Sequence, residues 1–333
     1  VTVYFDNRWT GPHGIGRFAD KLAERIAFVP LDLPGKPSQP LAPLQLACAL
    51  RKKNSPALFF SPGYTAPFFA KMPFVFCIHD LAQIESPEAR TPTKALFHQL
   101  ITKRACHNAH SVLTVSEFSR SRILHWSGLP EGRVVTVGNG VDAAYQPDGA
   151  PFAFPQPYLL CVSNRRPHKN EPRLLAAFAQ ARGLDGIPLL FTGNETPEMH
   201  RAIQDLGIAN RVFFVGRIPE SELPALYRSA LALLFPSLYE GFGLPVVEAM
   251  ASGTPVLTSN TTSLPEIGGN AVLTTDPYSI DGLAHELERI VTDSELRATL
   301  RTRGLERAKL FSWESTANRV KEVLAKASSP TGN

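Results

Sequence analysis

The stretch from Ser237 to Val256, SLYEGFGLPVVEAMASGTPV, holds the densest chemistry in the chain. Two carboxylates, Glu240 and Glu248, are separated by seven residues, and Gly241 and Gly243 lead into Pro245. Proline suits the first turn of a helix, where its missing N–H would have no partner anyway. Glycines on the approach keep the backbone free of side-chain bulk, so the amides of Gly243, Leu244 and the first turn would aim at an anion, with the helix dipole adding to the attraction. A carboxylate accepts two sugar hydroxyls at once. A glutamate on either side of an anion site therefore suits a ligand in which two hydroxylated parts flank a phosphate. Taken singly, Glu240 reads equally as a solvated side chain and Glu248 as a helix residue favoured by the dipole.

Further candidates sit where apolar runs end. SNRRPHKN at 163–170 places Arg165, Arg166, His168 and Lys169 after YLLCV, which suits neutralisation of phosphate. His79 closes the run PFVFCIHD, and both a hydrogen-bonded core histidine and a ligand-facing one fit; Asp80 beside it is open in the same way. Gly14 and Gly16 lie in the turn TGPHGIG, where a tight turn and close approach to a ligand are both consistent with GxG. Asn139 and Asp142 in GNGVD read as turn builders, Glu266 in LPEIGG as a site residue or a structural one, and Trp9 and Trp126 as core. No DxD-like carboxylate pair is placed to hold a metal beside a nucleotide, so lysine and arginine would carry that charge. Nor do the two glutamates make a glycosidase, whose acid and nucleophile must flank one glycosidic bond at a set separation.

These residues need strands and helices to position them. Short apolar runs at 1–5, 57–62, 73–80, 111–116 and 134–142 alternate with helical patterns, among them 94–109, where Phe97, Leu100, Ile101 and Ala105 share one face. QPDGAPFAFPQP at 146–157, with four prolines, reads as a linker. The pattern then restarts with strands at 158–163, 188–193, 211–216, 232–237, 254–259 and 270–275 between helices. This is the grammar of parallel strands joined by helices, twice over. Loops after such strands converge on ligands. A last helix capped by Ser312 precedes a tail, SSPTGN, expected to fray.

Composition narrows the classes. A chain of 333 residues with 44% hydrophobic and 19% charged residues is long enough for two packed domains. No apolar run reaches the ~20 residues of a membrane helix. The opening VTVYFDN lacks the pattern of a signal peptide, and Cys48, Cys77, Cys106 and Cys161 share no CxxC spacing, so buried reduced thiols in a cytoplasmic protein are expected. Residues 1–150 hold 16 Lys/Arg against 11 Asp/Glu, and 151–333 hold 18 against 19. A basic first half suits a phosphorylated substrate or an anionic membrane surface. Nothing resembles a nucleic-acid recognition helix or a basic–aromatic platform, so nucleic acid is not an expected partner.

EGFGLPVVEAMASGTPV resembles the E-x7-E signature of the retaining glycosyltransferases of family four, and YLLCVSNRRPHKN, TTSLPEIGGNAVLTTDP, TGPHGIGRF, CIHDL, TVSEFSR, GNGVD and FSWE resemble further landmarks of that family, over nearly the whole chain. The resemblance implies an α/β, GT-B architecture: two Rossmann-like doubly wound domains facing a central cleft. Residues 1–148 would be the acceptor-side domain and 149–310 the donor domain, with a helix at 311–327 crossing back to the first. It implies that Glu240 holds hydroxyls of the donor sugar and that Glu248 holds the ribose hydroxyls. The amides of Phe242, Gly243 and Leu244 would meet the sugar or diphosphate. Lys169 would neutralise the leaving diphosphate, and His79 would touch a sugar hydroxyl or the acceptor. Gly14 and Gly16 would face the diphosphate, and the backbone at Arg217 and Ile218 would read the base. Where relatives often carry a glycine and then an arginine, this chain has Ser163 and Asn164, so Arg165 or Arg166 would take that part, and His168 replaces a frequent arginine.

The implied activity is metal-independent, cofactor-free retaining transfer of a hexose, mannose from GDP-mannose being favoured and UDP- or dTDP-sugars open. The acceptor would be a glycan or a polyprenyl-diphosphate-linked glycan in polysaccharide or lipopolysaccharide biosynthesis. Peripheral contact with the inner membrane face would run through Lys94, Lys103 and Arg104. A non-catalytic sugar-nucleotide or glycan-binding protein, or a phosphorylase or epimerase on the same fold, is the alternative.

Overall fold

The computed structural model describes residues 1–53 and 57–329, so the last four residues of the tail expected to fray lie outside the described residues. Among the described residues twelve strands form two sheets: β1 (Thr2–Phe5), β2 (Val29–Pro30), β3 (Ala57–Ser61), β4 (Phe74–Cys77), β5 (Ser111–Thr114) and β6 (Val134–Thr136), then β7 (Tyr158–Cys161), β8 (Leu189–Phe191), β9 (Val212–Phe214), β10 (Ala230–Phe235), β11 (Val256–Ser259) and β12 (Leu273–Thr275). The first sheet runs β2-β1-β3-β4-β5-β6 and the second β12-β11-β10-β7-β8-β9. Every pairing in both is parallel. β3, β4, β5, β7 and β8 are buried at every residue, the signature of parallel strands covered by helices on both faces. The sequence pattern located all of these strands except β2, whose two exposed residues carry no periodic signal.

The chain divides into two units, Val1–Gly140 together with the chain from Ser312 onward, and Val141–Phe311. The core of the first gathers Leu46, Phe59, Phe76, Val112 and Ile123; that of the second gathers Leu159, Leu174, Phe178, Phe191, Leu234 and Leu287. The break falls before 148, because the proline-rich stretch is tied into the second unit. Arg228 donates from Nε to the Gln146 carbonyl at 2.9 Å and from Nη1 to that of Ala150 at 2.6 Å, and the Phe152 amide donates to Ser229 Oγ at 2.8 Å. The Trp313–Ser328 helix, capped by Ser312, belongs to the first unit. Trp313 is 3% exposed and lies so close to Gly140 that a Cβ there would stand 2.2 Å from the Trp313 amide nitrogen.

In each sheet the strand order reverses once, between β1 and β3 and between β7 and β10. At such a point the loops leaving two neighbouring strands diverge to opposite faces and open a crevice at their carboxyl ends. Two features differ from the sequence pattern. The 94–109 segment contains a π-helical turn at His98–Thr102 between α-helices Pro92–Phe97 and Lys103–Asn108. The wider turn rotates the apolar stripe, so Ala105 is buried while Leu100 is 59% exposed. Cys77, Cys106 and Cys161 are buried but Cys48 is exposed, and all four are free thiols. Burial pushes the Cys106 thiol up to about 12 and raises those of Cys77 and Cys161 as well.

Candidate active site

In the second unit the reversal point brings together the loop after β7, residues 162–170, and the loop after β10, residues 236–243. They are stitched together by one side-chain amide and one backbone bond. Asn170 Nδ2 donates to the carbonyls of Pro236 at 3.0 Å and Pro277 at 2.7 Å, and the Leu238 amide donates to the His168 carbonyl at 2.7 Å. Asn170 adopts φ 62°, a left-handed conformation that asparagine tolerates. Through this seam Lys169 Nζ reaches Glu240 Oε1 at 2.6 Å, with the two side chains 12% and 15% exposed. The ammonium also stands 4.6 Å from the centre of the Phe235 ring, a cation–π contact. The sequence named both residues; their pairing comes from strand order.

The Leu244–Ala251 helix starts beside this ion pair, with Pro245 second rather than first. Gly243 has φ 107°, and a Cβ on it would stand 2.8 Å from the Leu264 side chain, so both conformation and space require glycine. Ser263 Oγ donates to the carbonyls of Glu240 at 2.9 Å and Phe242 at 3.0 Å, turning those oxygens inward. The amides of Phe242, Gly243 and Leu244 donate to no acceptor among the described residues. They form the positive end of the helix. Phe242 itself is buried edge-on against Phe311 at 5.7 Å, so only its backbone is offered.

Glu248, one turn into this helix, is 4% exposed and accepts a hydrogen bond from the Tyr227 hydroxyl at 2.8 Å. Tyr227 is fully buried, stands edge-on to Tyr145 at 5.8 Å and accepts from Thr254 through its carbonyl. Tyr227 carries no spacing signal relative to Glu248, and neither do Asn170 and Ser263 relative to their partners. Only the crossover connections place them.

Arg165 takes a different place from the one the family pattern suggests. At φ 61° its backbone is left-handed, a strained state for arginine. Its guanidinium pairs with Glu171, donates to the Thr192 carbonyl and, from Nε at 3.0 Å, to that of Asn194, and stacks 5.3 Å from both Phe191 and Phe214. It fastens the β7 loop to the β8 loop through these contacts. Arg166 is exposed in the same loop. Gly193 bridges Gly216 through its amide at 2.6 Å, and Ile218 lies half-buried two positions further on. Glu266 sits in the first turn of Leu264–Gly268, where its own carbonyl accepts from Arg307 at 2.6 Å.

The first unit gathers a second set. Gly11 to Gly16 fold so tightly that a Cβ on Gly16 would stand 2.0 Å from the Gly11 carbonyl oxygen, whereas one on Gly14 meets nothing within 4 Å. Gly16 is thus explained by the turn and Gly14 is not. His13 caps the Gly14–Ala23 helix, accepting at Nδ1 from the Gly16 amide at 2.9 Å. His79 Nε2 lies 2.8 Å from the Pro62 carbonyl. A carbonyl only accepts, so Nε2 carries the ring proton and Nδ1 keeps a lone pair. Burial lowers the His79 pKa to about 4; the Pro62 bond opposes this and His13 adds to it. The ring is neutral at pH 7, edge-on to Phe18 at 4.9 Å, and acts as a hydrogen-bond acceptor. Asp80 instead caps the Ala82 amide at 2.8 Å, a structural role. Trp9 is core, under Gly63, and Trp126 is half-buried against the core. Among the described residues no three His, Cys, Asp or Glu side chains are clustered to hold a metal ion, and no helix is long and apolar enough to cross a membrane.

Comparison with known proteins agrees with this geometry. Residues 149–307 match the model of the glycosyl transferases group 1, and residues 1–145 that of glycosyltransferase family 4. The chain is 31% identical over 290 residues to O-antigen chain mannosyltransferase B of Escherichia coli, covering 83% of this chain and 75% of that protein. It is 33% identical over 232 residues to the MMP alpha-(1->4)-mannosyltransferase of Mycolicibacterium hassiacum, covering 68% and 56%. In structure it is similar to Anabaena HepE solved with UDP and glucose, with a TM-score of 0.78, 20% identity and 98% and 99% of the two chains covered. Two parallel doubly wound sheets, the E-x7-E helix and these relatives together place the chain in glycosyltransferase family 4, with the GT-B fold.

Proposed function

We propose that this glycosyltransferase transfers mannose, from GDP-mannose as the favoured donor, to a hydroxyl of a glycan or polyprenyl-diphosphate-linked glycan in polysaccharide biosynthesis, with retention of configuration and without a metal. The observation that carries the reading is the Lys169–Glu240 contact of 2.6 Å at the open amides of Phe242, Gly243 and Leu244. A cation and helix amides at one point suit a diphosphate. The adjoining carboxylate suits sugar hydroxyls, and Glu248, held by Tyr227, suits the two hydroxyls of a ribose. Relatives named as mannosyltransferases support the choice of sugar.

In this reading the acceptor oxygen bonds to the anomeric carbon on the face from which the diphosphate departs. The sugar–phosphate bond breaks with its electron pair going to the phosphate oxygen, and the acceptor proton passes to that same oxygen. Lys169 and the fixed amides stabilise the charge that develops there, which is the protein's main contribution. Arg166, exposed in the lysine's loop, is the second cation of the donor site in place of Arg165. His79, neutral with Nδ1 as acceptor, receives a hydroxyl of the donor sugar or the acceptor, Gly14 lets the diphosphate approach the first turn of its helix, and the backbone near Ile218 meets the base.

Thermal unfolding in the presence of GDP, UDP, dTDP, ADP and their sugar conjugates, with and without EDTA, tests the donor. A ligand at about 100 times its Kd stabilises by about 2.7 kcal/mol. Selective stabilisation by GDP compounds, unchanged by chelator, is the expected result. Selectivity for another base moves the donor assignment, and loss with EDTA removes the metal-free reading.

A further inference from the structure

The end of β10 and the loop that follows it are held by hydroxyls from one short run, TSNTTS at 258–263, which ends β11 and forms the loop after it. Thr258 Oγ1 donates to the Phe235 carbonyl at 2.8 Å, and Ser259 Oγ to that of Ser237 at 2.7 Å. Beyond the strand, Ser263 Oγ donates to the carbonyls of Glu240 and Phe242, and the Glu240 amide donates to Thr262 Oγ1 at 3.3 Å. Irregular backbone withdrawn from solvent needs such partners. The N–H of Glu240 is thus taken by Thr262 and its carbonyl by Ser263, so both sides of its Cα are clamped. The half-buried Thr262 hydroxyl spends its proton on the Thr261 carbonyl at 2.7 Å, which leaves a lone pair for the Glu240 amide.

Thr262 occupies this position in an unfavourable backbone. Its φ is 61°, in the left-handed region where a β-branched residue is an outlier. Glycine would adopt the same φ without strain, but it has no hydroxyl. Among the described residues the other non-glycine residues with positive φ are Arg165 and Asn170, both in the loop that carries Lys169. All three therefore lie in loops that hold one partner or the other of the Lys169–Glu240 pair. Strain of this kind persists where the surroundings over-determine it, and it gathers at functional sites.

We propose that Thr262 is a positioning residue of the transferase site: its strained backbone presents a hydroxyl to the Glu240 amide, and this fixes the direction in which the Glu240 carboxylate leaves the loop. The inference rests on the donor reading above, in which Glu240 holds hydroxyls of the transferred sugar. Thr262 acts through Glu240. The groups that meet the diphosphate are held by other contacts, Lys169 through the Asn170 seam and the amides of Phe242 and Gly243 through Ser263. Loss of the Thr262 hydroxyl should therefore misplace the sugar and leave the nucleotide bound as before.

The test compares Thr262→Gly, which removes the hydroxyl and frees the backbone, with Thr262→Ser, which keeps the hydroxyl, each in the full chain. Turnover is read as release of GDP from GDP-mannose, with water as the acceptor. Thr262→Gly should lower kcat about tenfold or more and leave the affinity for GDP unchanged. It should also unfold no lower than the wild type, because relief of the backbone strain offsets the lost hydrogen bonds. Thr262→Ser should recover most of the lost turnover. Amide hydrogen exchange of a peptide spanning Glu240 should speed up in Thr262→Gly while that of the Leu244–Ala251 helix stays as in the wild type. Exchange needs no donor, so it decides the clamp even where the donor reading fails. Unaltered exchange at Glu240, unaltered turnover in Thr262→Gly, a joint fall in turnover, GDP affinity and unfolding temperature, or no recovery with serine would each overturn the proposal.

Discussion

The Lys169–Glu240 pair offers the sharpest quantitative test of the site. Two unit charges 2.6 Å apart attract by about 6 kcal/mol at an effective dielectric of about 20. Side-chain exposures of 12% and 15% mean that both groups have also lost most of their hydration, which offsets much of that attraction and leaves a coupling of about 2–4 kcal/mol. The perturbation is a double-mutant cycle of Lys169→Met and Glu240→Gln. Each single change leaves a nearly buried charge without its partner and should destabilise the second unit by about 2–4 kcal/mol, whereas the double variant removes both charges and should fall well short of the sum. Hydrogen exchange of second-unit peptides under urea is the suitable assay, because two units need not unfold in one transition. Turnover adds a second reading: each single variant should lose about 100-fold or more in kcat, and the double little beyond that. Stabilities that add to within about 0.5 kcal/mol would show the charges to be uncoupled and refute the reasoning.

Gly16→Ala should destabilise by about 1–3 kcal/mol or more through the 2.0 Å approach to the Gly11 carbonyl, while Gly14→Ala should fold normally and lose donor affinity; equal thermal stability of the two would contradict the turn geometry. Arg165→Ala should lower the unfolding temperature of the second unit, while Arg166→Ala should leave it unchanged and raise the KM for the donor. The reverse pattern would return Arg165 to the phosphate. Burial, with Lys94 adding to it, holds the 6%-exposed His98 down at about 4 against an ordinary 6.5. The unfolded chain therefore takes up that proton first, and stability that is complete above 6.5 is lost as pH falls from 6.5 to about 4, by up to about 3 kcal/mol. His79 acts in the same direction in the same window. A His98→Phe protein with the wild-type pH profile of unfolding temperature would remove the argument.

Sequence by itself determined the element order and the parallel doubly wound class, because these rest on local regularities, apolar runs of strand length above all. It named Glu240 and Glu248 as candidates from a carboxylate spacing and a proline after glycines, and Lys169 and His79 from their places at the ends of apolar runs and from the family resemblance. It also placed candidate cations at 163–170 without separating them. Tertiary structure decided what each group touches. Arg165 and Arg166 are neighbours in the chain, yet one is drawn into Glu171 and two carbonyls from the β8 loop while the other is exposed. Gly14 and Gly16 look alike in GxG and differ only in whether Gly11 folds back over them. Leu100 belongs to the buried stripe at ordinary helical spacing and leaves it through one π turn. The partners of the site residues are long-range in sequence. Lys169 reaches Glu240 because β7 and β10 lie side by side where the sheet reverses. Tyr227 reaches Glu248 because the Leu223–Arg228 and Leu244–Ala251 helices, which precede and follow β10, pack against each other. Strand order is set by how the whole core packs, and local spacing does not encode it.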